Sequence, residues 1–224
     1  MFTGFTPETS QFFWDLMFHN ERPWFLAHKE DFERHLKQPF DALAKDTLAE
    51  MQRRHPSSDW ILHISRIYRD ARRLFGRGPY KEAMWFTLRS WEKPFRGPSF
   101  WFELRASRYS CGMGFYDFSP EQMAEYRAYI DANPAHVERL AKDLLSQDTF
   151  HLDGENYKRP KANKGEPLDS WYNKKWVSVE YTRDFGGDLL KEELPQILCD
   201  GFDALMPYYE FLNRFTAVDP RRLR

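Results

Sequence analysis

Arg66, Arg69, Arg72, Arg73, Arg77 and Lys81 place six cationic side chains within the eighteen residues ISRIYRDARRLFGRGPYK, with Asp70 as the single acid among them. Guanidinium forks match the oxygens of phosphate and carboxylate, and a lysine adds a mobile point charge. The surplus of five charges is local, because the chain of 224 residues has a formal net charge of −1. Near-neutrality argues against a general polyanion binder and gives the cluster a local task. In an extended segment, Arg66 and Tyr68 share one face and Ile67 and Arg69 the other. Asp70 stands where it can orient a neighbouring guanidinium, and Tyr80 can line the site with its hydroxyl. The stretch Gly76-Arg77-Gly78-Pro79 offers backbone donors without forming a GxxxxGK[ST] phosphate loop. The expectation is a pocket for a phosphate- or carboxylate-bearing small ligand. In it Arg66, Arg69 and Arg72 contact the anion and Lys81 is the mobile charge.

Two rival readings use the same residues. One is a nucleic-acid-binding module, with Trp85, Trp91 and Trp101 as stacking surfaces beside the arginines. Core packing under a helix accounts for those tryptophans equally well. The other rival is a structural protein whose arginines pair internally with carboxylates, Glu103 and Glu180 being the candidates. A second basic stretch, Tyr157-Lys158-Arg159-Pro160-Lys161, lies in a polar segment where six basic residues face two acids between positions 157 and 176. Lys158 and Arg159 join the candidate ligand contacts if that segment folds over the first cluster as a lid. Otherwise it is an exposed loop kept soluble by its charge.

Other constellations carry less. His28, Asp31 and His35 can share a helix face, but HExxH and paired Cys/His spacings are absent, so no metal is expected. His63 precedes the basic segment and can titrate beside it. Neither Ser65 nor Ser110 sits in a GxSxG elbow. No catalytic residue and no cofactor is nameable, and enzyme or non-enzyme stays open. Cys111 reads as inert packing within a strand. With Cys199 as the only other cysteine, there is no disulfide framework, which points to a reducing compartment. No run approaches eighteen apolar residues, so a cytoplasmic protein without a membrane partner is expected. Its oligomeric state is not readable.

The elements that must position these residues are α+β: an antiparallel meander flanked by N-terminal and C-terminal helices, in one domain spanning 1–224. A helical region covers 6–55. It opens on Thr6-Pro7-Glu8, with Asn20 as the cap of a second helix whose stripe runs Phe25, Phe32, Leu36, Phe40, Leu43 and Met51. Pro39 predicts a kink or break near Gln38. Alternation of Met84, Phe86 and Leu88, of Phe100, Phe102 and Leu104, and of Tyr109, Cys111, Met113 and Phe115 predicts a sheet over 60–117. The loop Lys93–Pro98 joins two of its strands. Gly112 and Gly114 on one face leave room for a close neighbour. Helices follow over 119–147, a basic loop and one strand over 151–182, and C-terminal helices over 187–216.

The motif RIYRDARR…GPYK resembles the signature of the domain of unknown function 2461 family, conserved and uncharacterised proteins of bacteria and fungi. Asn20-Glu21-Arg22-Pro23-Trp24-Phe25, with His28-Lys29 and Phe32, looks like that family's opening helix motif, and Tyr157-Lys158-Arg159-Pro160-Lys161 like its later basic motif. The resemblance runs from about Phe5 to Phe215. It puts Arg66, Arg69, Asp70, Arg72, Pro79, Tyr80 and Lys81 on the family's strongest positions. This chain departs at Arg73, where the family usually has an aromatic, and at Glu82-Ala83, which replace a polar residue. The resemblance implies no particular activity.

Overall fold

The computed structural model describes every residue except Ala71, Arg73, Phe75, 92–96 and 217–224. The expected loop Lys93–Pro98 therefore falls largely outside the described residues, as do the predicted roles of Arg73. Among the described residues, six strands form one antiparallel sheet: β1 (Trp60–Ile64), β2 (Ala83–Ser90), β3 (Ser99–Arg105), β4 (Arg108–Phe115), β5 (His151–Asp153) and β6 (Val177–Asp184). Their order across the sheet is β1-β2-β3-β4-β6-β5, so β1 and β5 are the two edges.

Alternation decides which face meets the helices. Phe86, Phe102, Cys111 and Tyr181 stand in register on one face, and all four are buried. Helix α4 (Gln38–Arg54) and helix α8 (Leu194–Asn213) cover that face. Phe40 packs on Phe86 and Phe102, and Phe202 and Tyr209 pack on Phe100. Aromatic pairs of this kind each add about 0.5–1.5 kcal/mol beyond the area they bury. Helices α5 (Pro120–Ala132) and α6 (Pro134–Leu145) follow the meander, and Ser119 caps α5 by accepting a hydrogen bond from Gln122 N.

The chain before the sheet is more broken than its apolar stripe suggests. Helix α1 (Pro7–Phe18) is followed by short α2 (Arg22–Ala27) and α3 (Lys29–Asp31). A π-helical turn (Phe32–Lys37) then runs into α4. The expected disturbance near Gln38 takes this form. Pro39 lacks an N–H and sits in the first turn of α4, and the wide turn before it keeps the helix continuous. Asn20 does not cap α2, whose cap position is Glu21. The polar segment after α6 also holds more structure than expected, namely β5 and helix α7 (Leu168–Tyr172). Among the described residues no helix is long and apolar enough to cross a membrane.

Candidate functional site

The basic motif forms an arm that prolongs the β1–β2 hairpin. Ser65 N donates to Trp85 O (2.8 Å), Lys81 N to Ile67 O (2.7 Å) and Arg69 N to Pro79 O (2.7 Å), and Tyr68 pairs with Tyr80. The arm is clamped from the N-terminal helices. Asn20 accepts from Tyr80 N (2.9 Å) and donates to Tyr80 O (3.0 Å), which is what replaces its expected capping role. Phe25 of α2 stacks on Tyr80 with ring centroids 4.1 Å apart. A glycine is required at position 78, because a Cβ there would stand 2.4 Å from the Asn20 side chain.

The predicted site residues divide by what they touch. Arg69 turns inward: Nε donates to Gly78 O (3.1 Å) and Nη2 to Tyr80 O (3.0 Å). Its partners are carbonyls, not Asp70. Asp70 instead holds Arg72 through Nε (3.1 Å) and Nη2 (2.8 Å), and this pair lies at the surface. Tyr80 is 2% exposed and belongs to the core under Phe25. Burial raises its phenol pKa. Arg66 is exposed, and its carbonyl accepts from Lys81 Nζ (2.7 Å).

Lys81 is half-buried 6.0 Å from the Trp85 ring, which lies on the sheet face opposite Phe86. Burial lowers its pKa, and the nearby charges of Arg69 and Arg66 push the same way. His63, in register beside Thr87, lies 5.3 Å from Trp85. Its pKa is lowered by burial first and then by Arg89, Lys81 and Arg66. Lys81 and His63 thus flank the Trp85 ring, Arg66 and Arg69 lie near Lys81, and Arg89 lies on the far side of His63. Among the described residues, Arg66, Arg69 and Lys81 make no ion pair with a carboxylate. The proposed internal partners are engaged elsewhere: Glu103 holds Arg105 (2.6 Å) and Glu180 meets Ser178. Trp85 and Trp101 lie on the face opposite the one that carries Phe86 and Phe102 and that α4 and α8 cover.

Lys158 and Arg159 stand apart from this group. Their loop is pinned to the β5 side of the sheet, where Asn173 O accepts from Tyr157 N (3.0 Å) and Asn173 Oδ1 from Lys161 N (2.7 Å). The cationic arm leaves the opposite edge, five strand spacings or roughly 24 Å away. Around Tyr157, Lys161 and Arg127 lie 4.6 and 5.0 Å from the ring. Lys158 and Arg159 are exposed. No group of His, Cys, Asp and Glu able to hold a metal ion occurs among the described residues.

A family profile described as conserved hypothetical protein, DUF2461, matches residues 8–211. The chain belongs to the DUF2461 family. The matched region contains all three motifs singled out from the sequence. Two of them, Asn20–Phe25 and Gly78-Pro79-Tyr80, meet in the clamp. No curated protein matches the chain. Sequence reasoning missed Tyr116 and Ser178, which lie on the open face next to Glu180. The signal was present in Gly112 and Gly114: the neighbours they make room for are Glu180 and the Tyr116 ring.

Proposed function

We propose that this DUF2461 protein binds a small anion, a phosphate- or carboxylate-bearing molecule, on the open sheet face beside Trp85. Lys81 and Arg66 are the direct contacts, with Arg89 as flanking charge and His63 as a flanking imidazole whose charged form is disfavoured. Arg69 holds the arm and contributes its field. The observation that carries this reading is the convergence of Arg66, Arg69 and Lys81 without a compensating carboxylate among the described residues. Like charges held together at a half-buried position disfavour each other's ionised forms, and an anion relieves that cost.

The test is thermal denaturation with inorganic phosphate, nucleotides and sugar phosphates. A ligand at one hundred times its Kd stabilises by about 2.7 kcal/mol. Lys81→Met and Arg66→Gln should remove the shift, whereas Arg72→Ala should keep it, because Arg72 is tied to Asp70 at the surface. Anion binding raises the Lys81 pKa, so it takes up protons at alkaline pH. No shift with any anion, or equal loss in Arg72→Ala, refutes the reading. Retention of a single-stranded oligonucleotide with a steep salt dependence would favour the nucleic-acid alternative.

A further inference from the structure

The open face has a second polar centre, away from the cationic arm. Trp101, Gly112 and Glu180 stand side by side across β3, β4 and β6, and Gly114 and Ser178 form the next row. A Cβ at Gly112 would lie 2.7 Å from Glu180 Cβ, and one at Gly114 would lie 2.8 Å from the Tyr116 ring. The missing side chains let Glu180 lean over β4 and let Tyr116 fold back onto it. Their polar ends meet at Ser178, which is fully buried.

Three oxygens surround Ser178 Oγ: Glu180 Oε2 at 2.6 Å, the Tyr116 hydroxyl at 2.9 Å and Met113 O at 3.1 Å. A serine hydroxyl gives one hydrogen and takes two. Met113 O can only accept. If Glu180 is ionised, it and Met113 O compete for the single serine hydrogen. If Glu180 carries a proton, it donates to Ser178, Tyr116 also donates to Ser178, and Ser178 donates to Met113 O. All three contacts are then hydrogen bonds at once.

The surroundings act in the same direction. Burial raises the Glu180 pKa, and the charges of Asp153 and Glu103 add to that rise, against the Ser178 hydrogen bond and His151. Cations on this side include Arg105, held by Glu103, Lys174, which faces Asp153, and Arg89, which stands in the cross-strand row of Gly114 and Ser178 with Asp117 as its neighbouring charge. Trp101 Nε1 is buried and makes no hydrogen bond of good geometry, although the Tyr116 hydroxyl is its neighbour.

We propose that Glu180, Ser178 and Tyr116 form a proton-delivery site for a neutral ligand carrying a basic oxygen or nitrogen, such as a carbonyl or imine, that reaches Glu180 from this face of the sheet. The proton on Glu180 passes to that atom. The Ser178 hydrogen then turns from Met113 O to the new carboxylate, while Tyr116 keeps donating to Ser178. Nothing is oxidised or reduced, and one proton moves.

The probe is dicyclohexylcarbodiimide, an apolar imine-like reagent that adds to a protonated carboxyl and not to a carboxylate. At pH 7, peptide mapping should find Glu180 labelled several-fold above the exposed glutamates, with the label fading as pH rises. Glu180→Gln should fold normally and lose the label. A parallel carbon-13 titration of the carboxyl should place its midpoint above the ordinary glutamate range. A midpoint inside that range refutes the proton count. A raised midpoint without labelling refutes delivery to the open face. Lys81→Met should label like wild type, so failure of the anion reading and failure of this one are separately visible.

Discussion

Asn20, Gly78 and Arg69 show how single residues convert a charged motif into a shaped arm. The Tyr80 carbonyl accepts from both Asn20 Nδ2 and Arg69 Nη2, each at 3.0 Å, and Asn20 also takes the Tyr80 N–H. Each neutral hydrogen bond contributes about 0.5–1.5 kcal/mol net, so Asn20→Ala should cost roughly 1–3 kcal/mol. Gly78→Ala should cost more. Its new methyl meets the Asn20 side chain at 2.4 Å and the Asn20 carbonyl oxygen at 2.5 Å, and the latter contact survives in the double variant. Urea unfolding midpoints measure both effects. If Asn20→Ala matches wild type, the clamp contributes nothing to stability. A Gly78→Ala variant milder than Asn20→Ala would mean that the arm moves freely at this point.

Elements were legible wherever one periodicity ruled. Met84, Phe86 and Leu88 alternate because one face of β2 is buried in the core, where α4 meets it through Phe40, and the α+β class followed from such runs. The apolar stripe from Phe25 to Met51 was also correct as a set of buried positions. Periodicity could not show that the stripe is carried by two short helices, a π turn and α4, because all of these bury residues at steps of three and four. The site was less legible. The clustering of Arg66, Arg69 and Lys81 was visible as charge density. That Arg69 would spend its donors on carbonyls, and that Lys158 and Arg159 would sit at the far edge, depends on strand order, which local pattern does not encode. The α4–α8 contact was invisible for the same reason. Arg54 donates to Glu50, Asp200 and Asp203, each at 2.7 Å, and His55 meets Asp203 at 2.6 Å. Hydrogen bonds from Arg53 and Arg54 hold the Glu50 pKa down at about 2. For Asp203, burial alone would raise the pKa, but His55 and Arg54 outweigh it and the net direction is down. A carboxylate whose folded pKa is depressed stabilises the fold above its unfolded pKa and loses that contribution as pH falls through the folded value. Thermal melts should therefore weaken from about pH 4.5 toward about pH 2. Arg54→Met should flatten this acid limb and cost about 2–3 kcal/mol at pH 7, since charged hydrogen bonds are the stronger kind. An unchanged limb in that variant would show that the clasp is not its origin.

At the scale of the whole molecule, buried residues join into one cluster that runs from Phe2 to Phe215. The two ends of the described chain are fastened to its middle. Phe2 N donates to Asp46 (2.6 Å), Phe5 N donates to Leu189 O (2.9 Å), and Gln122 Nε2 donates to Phe215 O (2.8 Å). Helix α8 lends Phe202 and Tyr209 to the sheet and Phe211 to Tyr126 of α5, so it cannot leave without opening both sides of the core. Removing α4 would likewise strip Phe40 from Phe86 and Phe102. Among the described residues these elements share one core, so unfolding should be a single cooperative transition. Tryptophan fluorescence and far-ultraviolet circular dichroism should give superimposable urea curves. The eight tryptophans lie between Trp14 and Trp176, and helices lie toward both ends, so each probe reads a different part of the chain. Two separated transitions would divide the chain into independently folding parts. The open sheet face would then be built on only one of them, and the arm clamped by Asn20 and the proton chain at Ser178 would have to be assigned to the unit that retains the sheet.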